Sequence, residues 1–249
     1  MLAEKLPETG ADIICLQEAF HRPLQEALYD SIRSHYPYAR GFAARGPGLR
    51  LGNELLVFSR FPLQGGKLIR FTSAAADELR HTSKGFFHVS VVTEGYGTLE
   101  LVNFHTTAGG RREHPESEKM NSIRARQIGQ LLDYAKHLDG AVLAGDLNAG
   151  PHSSFSNYQQ LDRSGYADTF NIPGREGYTW DPANPLVAAG PEADLPPQRI
   201  DHIFLDSVLH ERTHVHKAEI VLNEACVETA KGRIPLSDHY GVLASLQFD

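Results

Sequence analysis

The chain has 249 residues, 41% of them hydrophobic, and no internal repeat or low-complexity tract, which suits one globular domain over 1–249 with a sizeable core. The formal charge of −7 comes from 31 acidic and 24 basic residues, and the basic ones are scattered, which argues against a broad nucleic-acid footprint because that needs clustered Lys and Arg. Cys15 and Cys226 are too few for a disulfide framework or a CxxC site, and no run approaches the ~18 apolar residues of a membrane span. The opening residues lack the basic, apolar and small-residue order of a signal peptide, so the chain as given reads as soluble, with cytoplasm or secretion to be decided by what precedes residue 1; a monomer is expected.

Along the chain, residues 11–17 (ADIICLQ) form a short β-rich run that ends on Glu18. In PLQEALYDSIRSHYP the apolar residues Leu24, Leu28 and Ile32 keep the four-residue spacing of a helix face, and Pro37 closes it. NELLVFSRFPL and KLIRF read as strands, and GFFHVSVVTEGYGTLELVNFHT as two strands joined by a turn at Gly95 to Gly97. PESEKMNSIRARQIGQLLDYAKHL is a helix whose apolar stripe holds Met120, Ile123, Ile128, Leu131, Leu132 and Ala135, stopped near Gly140. AVLAGDLN is a buried strand, SNYQQLDRSG a short helix, RIDHIFL and HVHKAEIVL strands, and SDHYGVLASLQF a closing loop and strand. The Pro, Ala and Gly run between Pro182 and Pro197 is a loop whose length points to function rather than to a linker.

Polar chemistry collects where strands end. Glu18 follows the first run, Asn103 and His105 follow LELV, and Asp146 and Asn148 follow AVLAG, while Asp201 precedes HIFL and Asp238-His239 precede YGVLASL. One Asp or Asn after a strand is ordinarily a turn residue bonding its own backbone. Five strand termini of this kind are not explained that way. Carboxylates with an amide and two His, and no Cys, make a hard-oxygen donor set suited to Mg²⁺ or Mn²⁺ rather than structural zinc.

In order, LQE, FSRFP, SKG, NFHT, GDLNAGP, RIDHIF and LSDHYGV resemble the endonuclease/exonuclease/phosphatase superfamily over nearly the whole chain. ADELRHTSKGFFHVSV followed by NFHTTAGG is most similar to its neutral sphingomyelinase branch. The resemblance implies an α/β fold, a four-layer sandwich of two face-to-face mixed sheets flanked by helices, with the site at one end of the sheets. It implies a phosphodiester hydrolase dependent on Mg²⁺ (or Mn²⁺) and acting on a phospholipid headgroup at a membrane surface. A nuclease, an inositol phosphate phosphatase and an inactive binding module are the alternatives.

By the same resemblance Glu18 is the metal ligand and Asp238 reaches the metal directly or through water. Asp146 orients or deprotonates the attacking water, and Asn148 donates to a phosphoryl oxygen. Asp201 buttresses His239, which either contacts the developing phosphorane or serves as the base. His105 faces phosphate, and Lys84 and Asn103 bind substrate. Asp77 and Glu78 are weaker candidates. His210, His214 and His216 look like a metal cluster, but the latter two are alternate residues on one strand face with no acidic partner nearby in sequence, and His81, His88 and His114 read as solvated or core-edge histidines. Asn53 sits where the family runs Gly-Asn before a strand, and Glu54 stands where Gly is frequent, adding a charge near the cleft.

In the family a strand and a helix precede the counterpart of ADIICLQE, and that strand carries an Asn that shares the metal. Residues 1–10 supply only the tail of the helix. The expectation is an unpaired edge beside residues 11–17, and a protein that begins earlier rather than an impaired one.

Overall fold

The computed structural model describes residues 1–42, 54–75, 78, 84–109, 113–171, 176–230 and 232–249; Asn53, Asp77 and His81 lie outside them. The longest sheet has six strands in the order β4-β5-β6-β7-β9-β8, built from β4 (Leu63–Arg70), β5 (Gly85–Thr93), β6 (Gly97–His105), β7 (Ala141–Asp146), β9 (Asp201–Leu205) and β8 (Ala167–Asp168). β5 and β6 form the expected hairpin, with Thr93 opposite Gly97. Its turn glycines Gly95 and Gly97 have φ of 94° and 99°, a conformation that disfavours a Cβ. β6 and β7 run parallel, joined through helix α3 (Glu118–Ala135). Ser117 caps α3 by accepting from the Met120 amide at 3.3 Å, and Ile123, Ile128, Leu131 and Ala135 turn toward the sheet.

One face of this sheet packs against α3 and α4 (Phe155–Asp162), where Phe86, Val102, Phe104, Leu143 and Phe204 meet Ile128, Leu131 and Leu161. Its other face, with Val89, Leu99, Leu101, Val142 and Ala144, packs on a second strand layer. That layer holds β1 (Ile13–Leu16), β3 (Leu56–Ser59) and β2 (Tyr38–Arg40) in the order β1-β3-β2, and separately the pair β10 (Thr213–Val221) and β13 (Gly241–Phe248). Helices α1 (Leu2–Glu8) and α2 (Arg22–Ile32) cover its outer side through Leu6, Ile32, Ile14, Leu56 and Phe58. The result is the four-layer α/β sandwich the motifs imply.

The second layer is split. Among the described residues β1 pairs only with β3 and β13 only with β10, so the expected open edge beside residues 11–17 is present. Residues of both edges line one cleft of about 1400 Å³, floored by Leu99, Leu101, Val142 and Ala144 and running on to Glu18, Asp146 and His239.

The expected stripe of α2 needs correction. Leu24 is 65% exposed, while Gln25 is buried and donates through Nε2 to the Ala19 carbonyl at 2.5 Å. Leu28 and Ile32 keep the expected face against the layer beneath, so only the first position of the stripe departs from the apolar spacing. The elements absent from the sequence reading are short: β2, β8, β11 (Val227–Thr229), β12 (Gly232–Ile234), α5 (Pro185–Ala188) and α6 (Ser207–Glu211). A two- or three-residue strand has no periodicity to detect. His214 and His216 pack edge to face on β10, ring centroids 4.7 Å apart. Among the described residues no helix is long and apolar enough to cross a membrane.

Candidate active site

Strand register brings the polar termini into one row. Gly85 lies opposite His105, His105 opposite Asp146, and Asp146 opposite Asp201, so four adjacent strands of the six-stranded sheet end together. Glu18, His105, Asp146, Asn148, Asp201, Asp238 and His239 all line the same cleft. Sheet ends hold side chains more rigidly than loops do, which suits a site that must meet a substrate in fixed geometry.

After β7 the chain turns through Asp146, Leu147 and Asn148, with Asn148 at φ 49°. Asp146 Oδ1 accepts from the Asn148 amide at 2.8 Å and Oδ2 from Asn148 Nδ2 at 3.0 Å, while Asn148 Nδ2 also donates to the Thr106 carbonyl at 3.1 Å. Two glycines of GDLNAG are dictated by close approach. A Cβ on Gly145 would stand 2.0 Å from the Phe104 carbonyl oxygen, and one on Gly150 1.9 Å from that of Arg199. Burial opposes ionisation of Asp146, and the His105 hydrogen bond and charge, with His239 and Lys84 beyond, outweigh it and hold the carboxyl well below the usual range.

His239 Nδ1 lies 2.9 Å from Asp201 Oδ2, and one atom of each, with one of Asp146, falls within a 4.8 Å group. Burial pushes the ring's pKa down. The Asp201 charge and hydrogen bond, then Asp146 and Asp238, overcome that and raise it to about 10, so the imidazole is a cation at neutral pH. Residues that the sequence reading passed over set this pair. Thr179 Oγ1 accepts from the amides of Ile200 and Asp201 at 3.0 and 3.2 Å, and the Tyr240 amide donates to the Thr179 carbonyl at 2.7 Å. Asn184, capping α5, donates to the carbonyls of Ser237 and Asp238 at 2.9 and 3.2 Å, which gives the loop after Pro182 its part in shaping the site.

Glu18 ends β1 at φ 54°, an unusual conformation for a residue with a Cβ, and its side chain is exposed. The Ala19 amide donates to the Glu54 carbonyl at 2.9 Å. Glu54 itself is fully buried, its Oε1 3.1 Å from His105 Nδ1. On the other side of the ring, His105 Nε2 is 2.8 Å from Lys84 Nζ and 3.3 Å from Asp146 Oδ2. Burial and the Lys84 charge lower the His105 pKa, and Glu54 and Asp146 together raise it to about 9.

Two sequence expectations are corrected here. Asn103, assigned to substrate, is wholly buried: its Nδ2 donates to the carbonyls of Leu16 and Leu56 at 3.0 and 3.2 Å and its Oδ1 accepts from Gln17 at 2.7 Å. It ties β6 to β1 and β3 and has no polar atom left for a ligand. Lys84 is also buried, its ammonium held by His105, the Thr106 carbonyl at 2.9 Å and Glu78 at 3.3 Å, so it acts on the cleft through His105. Glu78, rated low, anchors this corner by accepting from Thr107 Oγ1 at 2.6 Å. Asp238 lies on the cleft wall, outside the two groups of described residues close enough to share an ion. His88, on β5, pairs with Glu100 on β6 at 2.5 Å and lies 2.8 Å from Tyr134 Oη of α3.

Behind the row stand two buried cations to which the sequence reading gave no role. Arg124 donates to the Thr107 carbonyl at 3.1 and 3.2 Å and to Pro115, Asn121 and Ser154, and burial lowers its pKa to about 10. Arg199 and His202 flank Asp168, and His202 Nε2 reaches the Ala149 carbonyl at 2.9 Å, bracing the turn that carries Asn148.

Known proteins share this fold. Sphingomyelinase C of Listeria ivanovii is 23% identical over 258 residues, covering 93% of this chain and 74% of that protein. A crystal structure of beta toxin from Staphylococcus aureus superposes with a TM-score of 0.81 at 19% identity, over 98% of this chain and 90% of the toxin. A mutant of that toxin with bound magnesium ions matches at a TM-score of 0.72 and 19% identity, over 98% and 89%. At these identities the structures speak for the fold. Residues 1–239 match the model of the Endonuclease/Exonuclease/phosphatase family, and the chain belongs to that family.

Proposed function

We propose that the protein is a divalent-metal-dependent phosphodiesterase that cleaves a phospholipid headgroup, releasing a phosphorylated alcohol in the manner of a sphingomyelinase. The observation that carries the proposal is the row His105–Asp146–Asp201–His239 at the strand ends, with Glu18 in the same cleft. The similarity to Sphingomyelinase C supports the lipid substrate. So do Leu24 and Leu186, exposed at 65% and 37% on the lining of that cleft, where acyl chains can rest on them.

Hydrolysis of a phosphodiester builds negative charge on the phosphoryl and leaving oxygens, and a well-placed donor is worth ~3 kcal/mol against that barrier. The cleft's hard-oxygen carboxylates fit Mg²⁺, and Glu54, a buried carboxylate without a hydrogen-bond donor among the described residues, is an orphan that a cation would satisfy. Glu18 would hold the ion, and the ion would supply charge neutralisation at the phosphate. Asp146 accepts a hydrogen bond from the attacking water and takes its proton as the new P–O bond forms. Asn148, whose side-chain amide hydrogens go to Asp146 and to the Thr106 carbonyl, holds the Asp146 carboxylate in its orientation. His239, charged and oriented by Asp201, gives its proton to the leaving oxygen as the old P–O bond breaks.

The test is turnover in Mg²⁺ of sphingomyelin, phosphatidylcholine, plasmid DNA and an inositol phosphate. Headgroup release from a lipid supports the proposal. Nicking of DNA, or phosphate release from the inositol phosphate with both lipids untouched, overturns it.

A further inference from the structure

Glu54 is 0% exposed, and a buried carboxylate ordinarily gathers several donors. Among the described residues its Oε1 and Oε2 have no hydrogen-bond donor, and neither has His105 Nδ1 an acceptor in line, although it lies 3.1 Å from Oε1. The ion pair with His105 accounts for one oxygen. It leaves the other unexplained, and it does not explain why Glu18 stands beside it, with one carboxylate oxygen each from Glu18 and Glu54 and a His105 nitrogen within 4.8 Å of one another.

Two carboxylates at that separation repel unless a proton or a cation lies between them. The backbone enforces the approach, because the Ala19 amide bonds the Glu54 carbonyl and Glu18 takes a left-handed conformation that most residues avoid. Strain of this kind persists where something is gained by it. His105 has its other nitrogen engaged by Lys84, so it serves as the charge partner of Oε1 and leaves Oε2 for a ligand.

We infer that Glu54 is a ligand of a hard divalent cation, Mg²⁺ or Mn²⁺, which it holds jointly with Glu18; this rests on the proposal above that the cleft binds such an ion. The site then draws its two carboxylates from the end of β1 and the residue pair ahead of β3, adjacent strands of one layer. Such ligation also gives a reason for a carboxylate to be kept in a place with no solvent and, among the described residues, no donor.

The experiment is Mn²⁺ titration of the full chain without substrate, the free ion read by electron paramagnetic resonance, with thermal melts run alongside. Wild type should bind, and Glu54→Gln and Glu18→Gln should each weaken binding at least tenfold. Glu54→Asp keeps the charge and shortens the reach; it should weaken binding by a similar factor, where a carboxylate acting only through its field would be replaced with little loss. If Glu54→Gln does not melt cooperatively, Glu54→Asp decides alone. Binding by either folded Glu54 variant within threefold of wild type, with Glu18→Gln weakened, overturns the inference and leaves the metal reading standing. No binding by wild type overturns both.

Discussion

Asp168→Asn tests whether a buried ion cluster behind the strand ends holds the Asp146–Asn148 turn in place. Asp168 Oδ2 accepts from Tyr158 Oη at 2.9 Å and from Arg199 at 2.5 Å, and lies 2.9 Å from His202 Nδ1, with the side chain 2% exposed. Burial alone would raise its pKa, and His202 and then Arg199 reverse that and hold the carboxyl well below its usual range. Asn keeps the size and removes the charge, leaving Arg199 and His202 buried against a neutral amide. Losing one partner of a buried pair costs ~3–5 kcal/mol. At ~2–4 °C per kcal/mol for a chain of this size, the melting temperature falls by roughly 6–20 °C. The pH dependence has a definite sign: a carboxylate with a depressed folded pKa contributes stability that is present above the unfolded value, about 4, and lost as pH falls toward the folded one. The gap between wild type and variant is therefore widest near neutrality and narrows in acid. Function follows through His202, whose bond to the Ala149 carbonyl braces the loop. A displacement of ~1 Å can cost ~100-fold, so turnover assayed well below the melt should drop by 10-fold or more. Melts within ~2 °C of wild type at pH 7, a gap that widens in acid, or unchanged turnover would each refute the reasoning.

His239→Ala and Asp146→Asn should each lower turnover by ~100-fold or more; His239→Ala should still melt cooperatively, because its ring lies on the cleft wall and leaves no core cavity, at a temperature lowered by the loss of its Asp201 pair. Asp201→Asn should lower the His239 pKa from about 10, so the alkaline limb of the pH–rate profile moves to lower pH; in wild type the stability from that raised pKa is full below the unfolded value of about 6.5 and is lost as pH rises through about 10. Gly145→Ala should fail to fold or melt far below wild type by calorimetry, since its Cβ would meet the Phe104 carbonyl oxygen at 2.0 Å in the middle of the sheet. Chelation by EDTA should abolish turnover, and Mg²⁺ should restore it.

What could be read from residues alone were features with a local signature. The hairpin over residues 85–105 has two alternating runs and a glycine turn, and α3 has seven buried positions and a Ser cap. Termini such as Asp146 and His239 stand out because a polar group at the end of an apolar strand is conspicuous. The supporting residues gave no such signal. Thr179, Asn184 and Arg124 act through hydrogen bonds to groups elsewhere in the chain, and nothing in YTWDPAN or SIRARQ marks them. Asn103 misled for the converse reason: an Asn beside a site His looks like a ligand donor, and only packing shows its amide spent between two strand layers. Glu54 was noticed as a departure from the usual Gly, and its place beside Glu18 depends on the β1–β3 register, which composition does not encode.

The most direct measurement is ³¹P nuclear magnetic resonance of sphingomyelin vesicles incubated with the protein in Mg²⁺, run in parallel with His239→Ala and with EDTA. The expected result is conversion of the phosphodiester signal into a single phosphomonoester signal by wild type alone. A phosphomonoester signal of equal size with His239→Ala or EDTA, or no conversion while the same preparation nicks plasmid DNA, would contradict it.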